Sequence, residues 1–342
     1  MARHRIAVIG LGMAVTPHAK SLLDLHDRIE VVHAMSPSAA RRQAFAARFA
    51  FPLTDALGPI LDDRTITVAA VLTPPNTHLE IASRLAAAGK HVLLEKPLDV
   101  SIARAEQLVA ACRDAGVTLG VVLQHRFKPA AERLAAILRA DGLGDIVSCS
   151  TSIRLWRPQS YYDEPGRGTR ARDGGGVLLT QGIHTLDLML NLAGPIVEVC
   201  GYARTTPVHR METEDIVCAA VRYCSGAIGI IDATTTAYPG GPERIELVGT
   251  KGTAALAGTA LGVAWHDGRR EEIAPDASAG GTGADPMAFP HDYHLGVWRD
   301  FLDAIDAGRA PRVSGAEALA VHRLIDALLS AGSSDRKLSL AG

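Results

Sequence analysis

Five short apolar runs punctuate the first third of the chain: IAVIG (6–10), IEVVHAM (29–35), TVAAVL (67–72), HVLLE (91–95) and VTLGVVL (117–123). Between them lie stretches with apolar residues at three- and four-residue spacing, such as AKSLLDL, SAARRQAFAARFA, THLEIASRLAAAG and VSIARAEQLVAACRDAG. A strand that is apolar on both faces must be covered on both, and intervening helices supply the cover. This alternation predicts an α/β, doubly wound parallel sheet with right-handed crossovers.

The rest of the chain has a different period. After a helical pattern at 129–140 come longer alternating segments: DIVSCSTSIRL, IVEVCGYARTT, DIVCAAVRYC, GAIGIIDATTTA and RIELVGTKGTAAL. Turn signals such as Cys224-Ser225-Gly226 separate some of them. They predict an α+β domain on a large, mostly antiparallel, open-faced sheet. Helical patterns at 177–192, 294–307 and 315–331 accompany it, and residues 274–286 read as a Gly-rich loop. At 342 residues the chain is too long for one ordinary core. The expected division is a dinucleotide-binding domain, 1–123, and a substrate-binding and oligomerisation domain, 124–342.

Composition narrows the function classes. The formal net charge is −2 and no basic stripe is present, which argues against nucleic acid. No run of about 18 apolar residues suggests a membrane span. The N-terminus MARHRIAVIG enters a strand at once, without a signal peptide, and the five cysteines are scattered. Both point to a cytoplasmic protein with reduced thiols.

The first run ends in Gly10-Leu11-Gly12-Met13, between a strand and a helix. Gly10 permits the tight turn. Gly12 lets the main chain approach a pyrophosphate at the helix N-terminus, where free N–H groups favour an anion. The usual third glycine is replaced by Val15. The acidic residue that would grip an adenosine ribose belongs at the end of the second strand; Glu30 lies at the wrong end, and Ser36 holds the position. With Arg41 and Arg42 close behind, this favours NADP over NAD.

The run HVLLE delivers Lys96 at the carboxyl edge of the sheet, where such folds bind ligands. Pro97 cannot continue the strand and fixes the turn. In the pattern at 177–192, Thr180, His184 and Asp187 are spaced four and then three residues apart, on one face of an otherwise apolar helix. Trp156, Tyr161 and Tyr162, with Arg157, Arg167, Arg170 and Arg172, fill the segment before it. They suit a lid that stacks on a sugar ring and binds an acidic group, or equally a subunit contact. His291 and His294 sit at helical spacing, but no neighbouring carboxylate or cysteine cluster completes a metal site.

Gly-x-Gly after the first strand, TPPNTH at 73–78, EKP at 95–97 and GGGVLLTQGIHTLDL at 174–188 resemble the glucose–fructose oxidoreductase, inositol dehydrogenase and rhizopine-catabolism family (Gfo/Idh/MocA). The resemblance runs over nearly the whole chain, including HLGVWRDFLDAI near the end. It implies NAD(P)-dependent hydride transfer on sugars, polyols or related compounds, without a metal. It implies cofactor contacts from Thr73, Pro74, Asn76, His78, Glu95 and Lys96, and places Arg126 and Phe127 near cofactor and substrate. Lys96 matches the family's catalytic lysine and His184 its catalytic histidine. The family often has Asp four residues before that histidine; here Thr180 stands there, so substrate binding is assigned to Thr180. Asp187 is the candidate to orient His184. A homodimer or homotetramer through the second sheet is implied. A non-catalytic dinucleotide sensor and a nicotinamide-dependent glycosidase are the alternatives.

Overall fold

The computed structural model describes residues 3–276, 290–334 and 337–340. Most of the Gly-rich loop predicted at 274–286 lies outside them. The chain forms two compact units: Met1–Leu123 with His291–Leu319, and Gln124–Pro290 with residues 320 onward. The first unit's leading segment ends at Leu123. A simple two-segment division needs correction, because 291–319 returns to the first unit.

In the first unit β1 (His4–Ile9), β2 (Ile29–Met35), β3 (Leu53–Thr54), β4 (Val68–Val71), β5 (His91–Leu94) and β6 (Leu119–Val121) form one sheet in the order β3-β2-β1-β4-β5-β6. All its pairings are parallel. Ile6, Val8, Val68, Ala70, Val92 and Leu94 are almost wholly buried, as expected for strands covered on both faces. The helices α1 (Val15–Asp24), α2 (Ala39–Ala46), α3 (Gly58–Asp62), α4 (His78–Ala87) and α5 (Ile102–Asp114) alternate with the strands. Because β1 pairs with both β2 and β4, strand order reverses beside β1, and ligands of such sheets bind at that reversal.

The second unit contains α6 (Pro129–Arg139), β7 (Ile146–Arg154), α7 (Gln159–Tyr162), a π-helical turn (Leu178–Gly182) and α8 (Ile183–Ala193). There follow β8 (Ile196–Arg204), β9 (Ile216–Tyr223), β10 (Ile228–Thr234), β11 (Arg244–Gly249), β12 (Gly252–Ala257), β13 (Ala260–Trp265) and β14 (Arg270–Ile273). Two helices, α9 (Asp292–Ala307) and α10 (Gly315–Ser334), precede a last short strand, β15 (Leu338–Ser339). The nine strands β7–β15 run in the order β14-β13-β12-β11-β7-β10-β9-β8-β15. Only β7 and β10 pair in parallel among the described pairings. Burial alternates along β9: Val217, Ala219, Val221 and Tyr223 point inward, and Cys218, Ala220 and Arg222 outward. Helix α8 covers β7 and β11. The outer face carries exposed Tyr202, Ile228 and Ile230.

Helix α9 explains the return of the chain to the first unit. Its face carrying Trp298 and Phe301 is fully buried, and it packs on α1. Gly120 in β6 makes room for it, since a Cβ there would come within 2.6 Å of the Phe301 ring. After α9 the Val313 carbonyl accepts the Val121 N–H at 3.0 Å.

Candidate active site

In the first unit the candidate residues gather at the carboxyl ends of the strands. Gly10 has φ +103°, and a Cβ would lie 2.7 Å from the Leu72 carbonyl carbon. Only glycine tolerates both conditions, so β1 turns sharply against the end of β4. At Gly12 an added Cβ would meet no heavy atom within 4 Å. That opening, just before α1, fits a pyrophosphate approaching free N–H groups. Met13 beside it is 56% exposed.

Ser36 follows β2 and is buried; its hydroxyl accepts the Ser38 N–H at 3.3 Å. Ser38 caps α2 through Arg41 N–H, leaving the Arg41 side chain exposed on the first turn. Arg42 is engaged differently, donating to the Ser36 and Pro37 carbonyls at 2.6 and 3.1 Å. Glu30 lies near the start of β2 and pairs with Arg5 at 2.7 Å.

The loops after β4 and β5 are tied together. The buried His78 ring places Nε2 2.8 Å from the Thr73 carbonyl and Nδ1 3.0 Å from that of Pro97. Burial pushes its pKa down against the pull of these carbonyls. This makes His78 a brace between the two segments, with its nitrogens turned toward main chain. Asp99 adds a second tie by accepting the Leu79 N–H at 3.0 Å near the start of α4. Thr73 accepts from the Thr77 hydroxyl at 2.8 Å, and Pro74 and Asn76 are exposed. The Lys96–Pro97 peptide is cis.

Glu95 is buried, with one carboxylate oxygen 2.9 Å from His18 Nε2 and the other accepting the Lys96 N–H at 3.0 Å. Burial acts to raise its pKa, but the His18 hydrogen bond and the charge of Lys96 bring it below the ordinary carboxylate value. Lys96 itself is half-buried at the sheet edge.

In the second unit the expected continuous helix over 177–192 is corrected. The π-helical turn Leu178–Gly182 precedes α8, so Thr180 and His184 lie on either side of its junction with regular helix. Such turns insert an extra residue and recur at functional sites. The Thr180 hydroxyl donates to the Gly176 carbonyl at 2.6 Å and also contacts the Gln181 amide oxygen. Half-buried His184 stacks near His125, with ring centroids 5.0 Å apart and planes inclined by 33°.

Asp187, three residues beyond His184, lies in the interior. It is 1% exposed, and its two oxygens accept from Arg126 Nε and Nη2 at 2.7 and 2.6 Å. The pair is bidentate and buried, with the 3₁₀ turn Gln124–Phe127 supplying Arg126. Arg126 and Asp187 thus anchor that turn to α8.

The aromatic segment packs on itself. Tyr162 is buried, its hydroxyl donates to Thr235 at 3.0 Å, and burial pushes its pKa up to about 12. Tyr162 is therefore corrected from a sugar-stacking ring to a core residue. The guanidinium groups of Arg157 and Arg167 lie 5.7 and 4.7 Å from the Tyr161 ring centroid. Trp156 bridges to Thr236 and meets Tyr238 edge-on at 5.5 Å. Arg170 pairs with Glu212 at 3.6 Å, and Arg172 donates to the Pro165 carbonyl.

Several contributors gave no local signal in the sequence. Buried Glu214 accepts the Gly176 and Leu178 N–H groups at 3.0 and 3.2 Å, fixing the start of the segment that carries Thr180 and His184. Its pKa is raised by burial, with those donors pulling it back. His209 and Asp215, both fully buried, pair at 2.9 Å. In the first unit the side chains of His18 and Glu95 gather with His294, a grouping that its chain neighbours do not announce.

Two family profiles match the chain. One, described as an oxidoreductase family with an NAD-binding Rossmann fold, covers residues 4–123; the other, a GFO/IDH/MocA C-terminal domain, covers 131–255. The chain is 31% identical over 228 residues to 1,5-anhydro-D-fructose reductase of Ensifer adhaerens, covering 66% of this chain and 67% of that protein. It is 25% identical over 328 residues to myo-inositol 2-dehydrogenase of Thermotoga maritima, 91% of each. The structure of WlbA dehydrogenase from Bordetella pertussis, in complex with NADH and UDP-GlcNAcA, matches with a TM-score of 0.85 and 27% identity over 99% of both chains.

Proposed function

Because the chain belongs to the Gfo/Idh/MocA oxidoreductase family, we propose that it transfers a hydride between a nicotinamide dinucleotide and a carbinol or carbonyl carbon of a sugar, polyol or sugar acid. The observation that carries the reading is Lys96 at the end of a Rossmann strand, on a loop held by His78, Asp99 and Glu95. A lysine meant only for solvent needs no such bracing. The dinucleotide, when bound, accepts or supplies the hydride. His184, an imidazole able both to accept and to give up a proton, takes or returns the carbinol proton. Lys96 stabilises the developing alkoxide by its charge or relays the proton. Thr180 has two acceptors for its hydroxyl proton within its own segment, the Gly176 carbonyl and the Gln181 amide oxygen, so it meets a substrate hydroxyl as an acceptor.

Ser36 at the end of β2 and the exposed Arg41 favour NADP, since no carboxylate at that position repels a 2′-phosphate. The outer sheet face suits a second copy of this chain. Ile228 pairs with Arg222 on β9 and with Ser148 on β7, and Ser148 pairs with Val248 on β11, which extends the exposed row across neighbouring strands. A sedimentation experiment showing only monomer would end this assignment. Five unpaired cysteines and no described helix fit to cross a membrane accord with a cytoplasmic location.

The protein is incubated with NAD or NADP and a panel of sugars, polyols and sugar acids, and reduced cofactor is followed by its absorbance. Net reduction is expected, faster with NADP. Glycoside cleavage without net reduction would identify a glycosidase; cofactor binding with neither reaction would identify a sensor.

The glycine loop gives a separate expected result. Gly12→Ala should leave the thermal transition unchanged, because the protein has room for the methyl, yet weaken dinucleotide binding about 10-fold or more by crowding the pyrophosphate. Gly10→Ala should lose both stability and binding, since its φ and the Leu72 carbonyl oppose any side chain. Calorimetry with fluorescence titration separates the two; wild-type affinity in Gly12→Ala would remove the pyrophosphate from this turn.

A further inference from the structure

Behind the Lys96 loop, three elements of the first unit converge on one buried hydrogen-bond chain. Trp298 of α9 donates its indole N–H to His18 Nδ1 at 3.1 Å. His18, fully buried in α1, places Nε2 2.9 Å from a Glu95 oxygen, and the other Glu95 oxygen accepts the Lys96 main-chain N–H at 3.0 Å. An indole nitrogen can only donate. Nδ1 of His18 must therefore accept, its proton must sit on Nε2, and that proton points at Glu95. An imidazolium has no lone pair to offer Trp298, so the ring is neutral in this arrangement.

The same logic decides against a metal. The ligand atoms of His18, Glu95 and His294 all lie within 4.8 Å of one another, a spacing compatible with a cation. Metal binding through His18 Nε2 would move the proton to Nδ1, where it would face the Trp298 N–H donor to donor. His294 completes the surroundings as a neutral wall: its ring meets that of His18 edge-on at 5.0 Å, and burial, foremost, pushes its pKa down to about 3.

We propose that His18 is a positioning residue, held in one neutral tautomer by Trp298, which fixes the Glu95 carboxylate as an anion beside Lys96 and so sets the protonation of the Lys96 ammonium. The proposal rests on the catalytic reading of Lys96. The titratable groups acting on Glu95 are His18 from α1, His294 from α9 and Lys96 itself. His291, paired with Asp24 at 2.7 Å, acts on His294 from the start of α9. Without the His18 donor a buried Glu95 takes up a proton, because desolvation favours the neutral acid. With the anion gone, the Lys96 ammonium loses an opposite charge and deprotonates at lower pH.

Two measurements need no substrate, so they remain readable even where hydride transfer fails. The first is ¹⁵N NMR of histidine-labelled protein: His18 should show the Nε2–H tautomer. The second is the pH dependence of Lys96 acylation by an amine-reactive ester, followed by peptide mass. The midpoint should fall by about one unit in His18→Phe. His18→Gln should restore it, since the amide can donate to Glu95 and accept from Trp298 as the neutral ring does. A Nδ1–H tautomer, a zinc ion retained in equimolar amount, or equal shifts in the two variants would each overturn the chain. Should His18→Phe not fold, Trp298→Phe serves in its place: it releases the tautomer lock, and an unchanged histidine spectrum there would equally overturn the proposal.

Discussion

Replacing Lys96 with methionine is expected to lower kcat by about 10²–10⁴-fold while dinucleotide affinity stays within about threefold of wild type. Methionine keeps an unbranched apolar side chain of similar length and removes the charge. It also keeps the main-chain N–H that Glu95 accepts, so the loop retains its fastening to His18. The brace from His78 to the Pro97 carbonyl is untouched as well. What the variant loses is the cation for a developing alkoxide and the group able to pass its proton. Lys96→Arg separates those two losses: arginine restores charge but cannot release a proton near neutral pH. Partial recovery in the arginine variant assigns an electrostatic role, and none assigns a relay. Steady-state rates with a fluorescence titration of the dinucleotide provide the check. A methionine variant that turns over at the wild-type rate would reduce Lys96 to a solvated lysine on a well-braced loop.

That lysine is legible in the sequence because its position follows from a strand. HVLL is apolar throughout, so it belongs in a doubly covered sheet, and whatever follows it emerges at the ligand edge. The strands of the first unit are readable for the same reason. β3 is not, since two residues carry no period. In the second unit RIELVGTKGTAAL reads as one segment but forms β11 and β12, which pair antiparallel. The strand β13, with Ala260, Gly262 and Ala264 on its outer face, gives little contrast for alternation to show. The site is hidden where partners are distant in the chain. Arg126 and Asp187 are 61 residues apart, and His18 and Glu95 are 77 apart. Each member looks like an ordinary polar residue near a helix or turn, and only the fold makes a buried charge of one require the other. The π-helical turn is invisible for another reason: i, i+4 spacing in VLLTQGIHTLDL is the same whether or not the turn admits an extra residue.

The Arg126–Asp187 pair yields the largest expected stability effect. Asp187→Ala should destabilise the second unit by about 3–5 kcal/mol, because it leaves a guanidinium buried without its carboxylate. The two side chains are 5% and 1% exposed, so water cannot replace the lost partner without opening the packing between α8 and the turn at 124–127. Arg126→Met should cost a similar amount through the stranded carboxylate. The double variant Arg126→Met/Asp187→Leu should recover most of either loss, since no charge then remains to be desolvated. Urea unfolding followed by a probe in the second unit measures all three. The chemistry should respond alongside stability. Arg126 follows His125, whose ring lies against His184, and Asp187 is three residues beyond His184 in α8. A variant that is folded at low temperature should therefore still show reduced kcat, because the histidine has lost the element that holds its surroundings. If Asp187→Ala unfolds within about 1 kcal/mol of wild type, the pair is not the fastening between turn and helix, and the support of His184 must be sought in the Glu214 contacts at the other end of the segment.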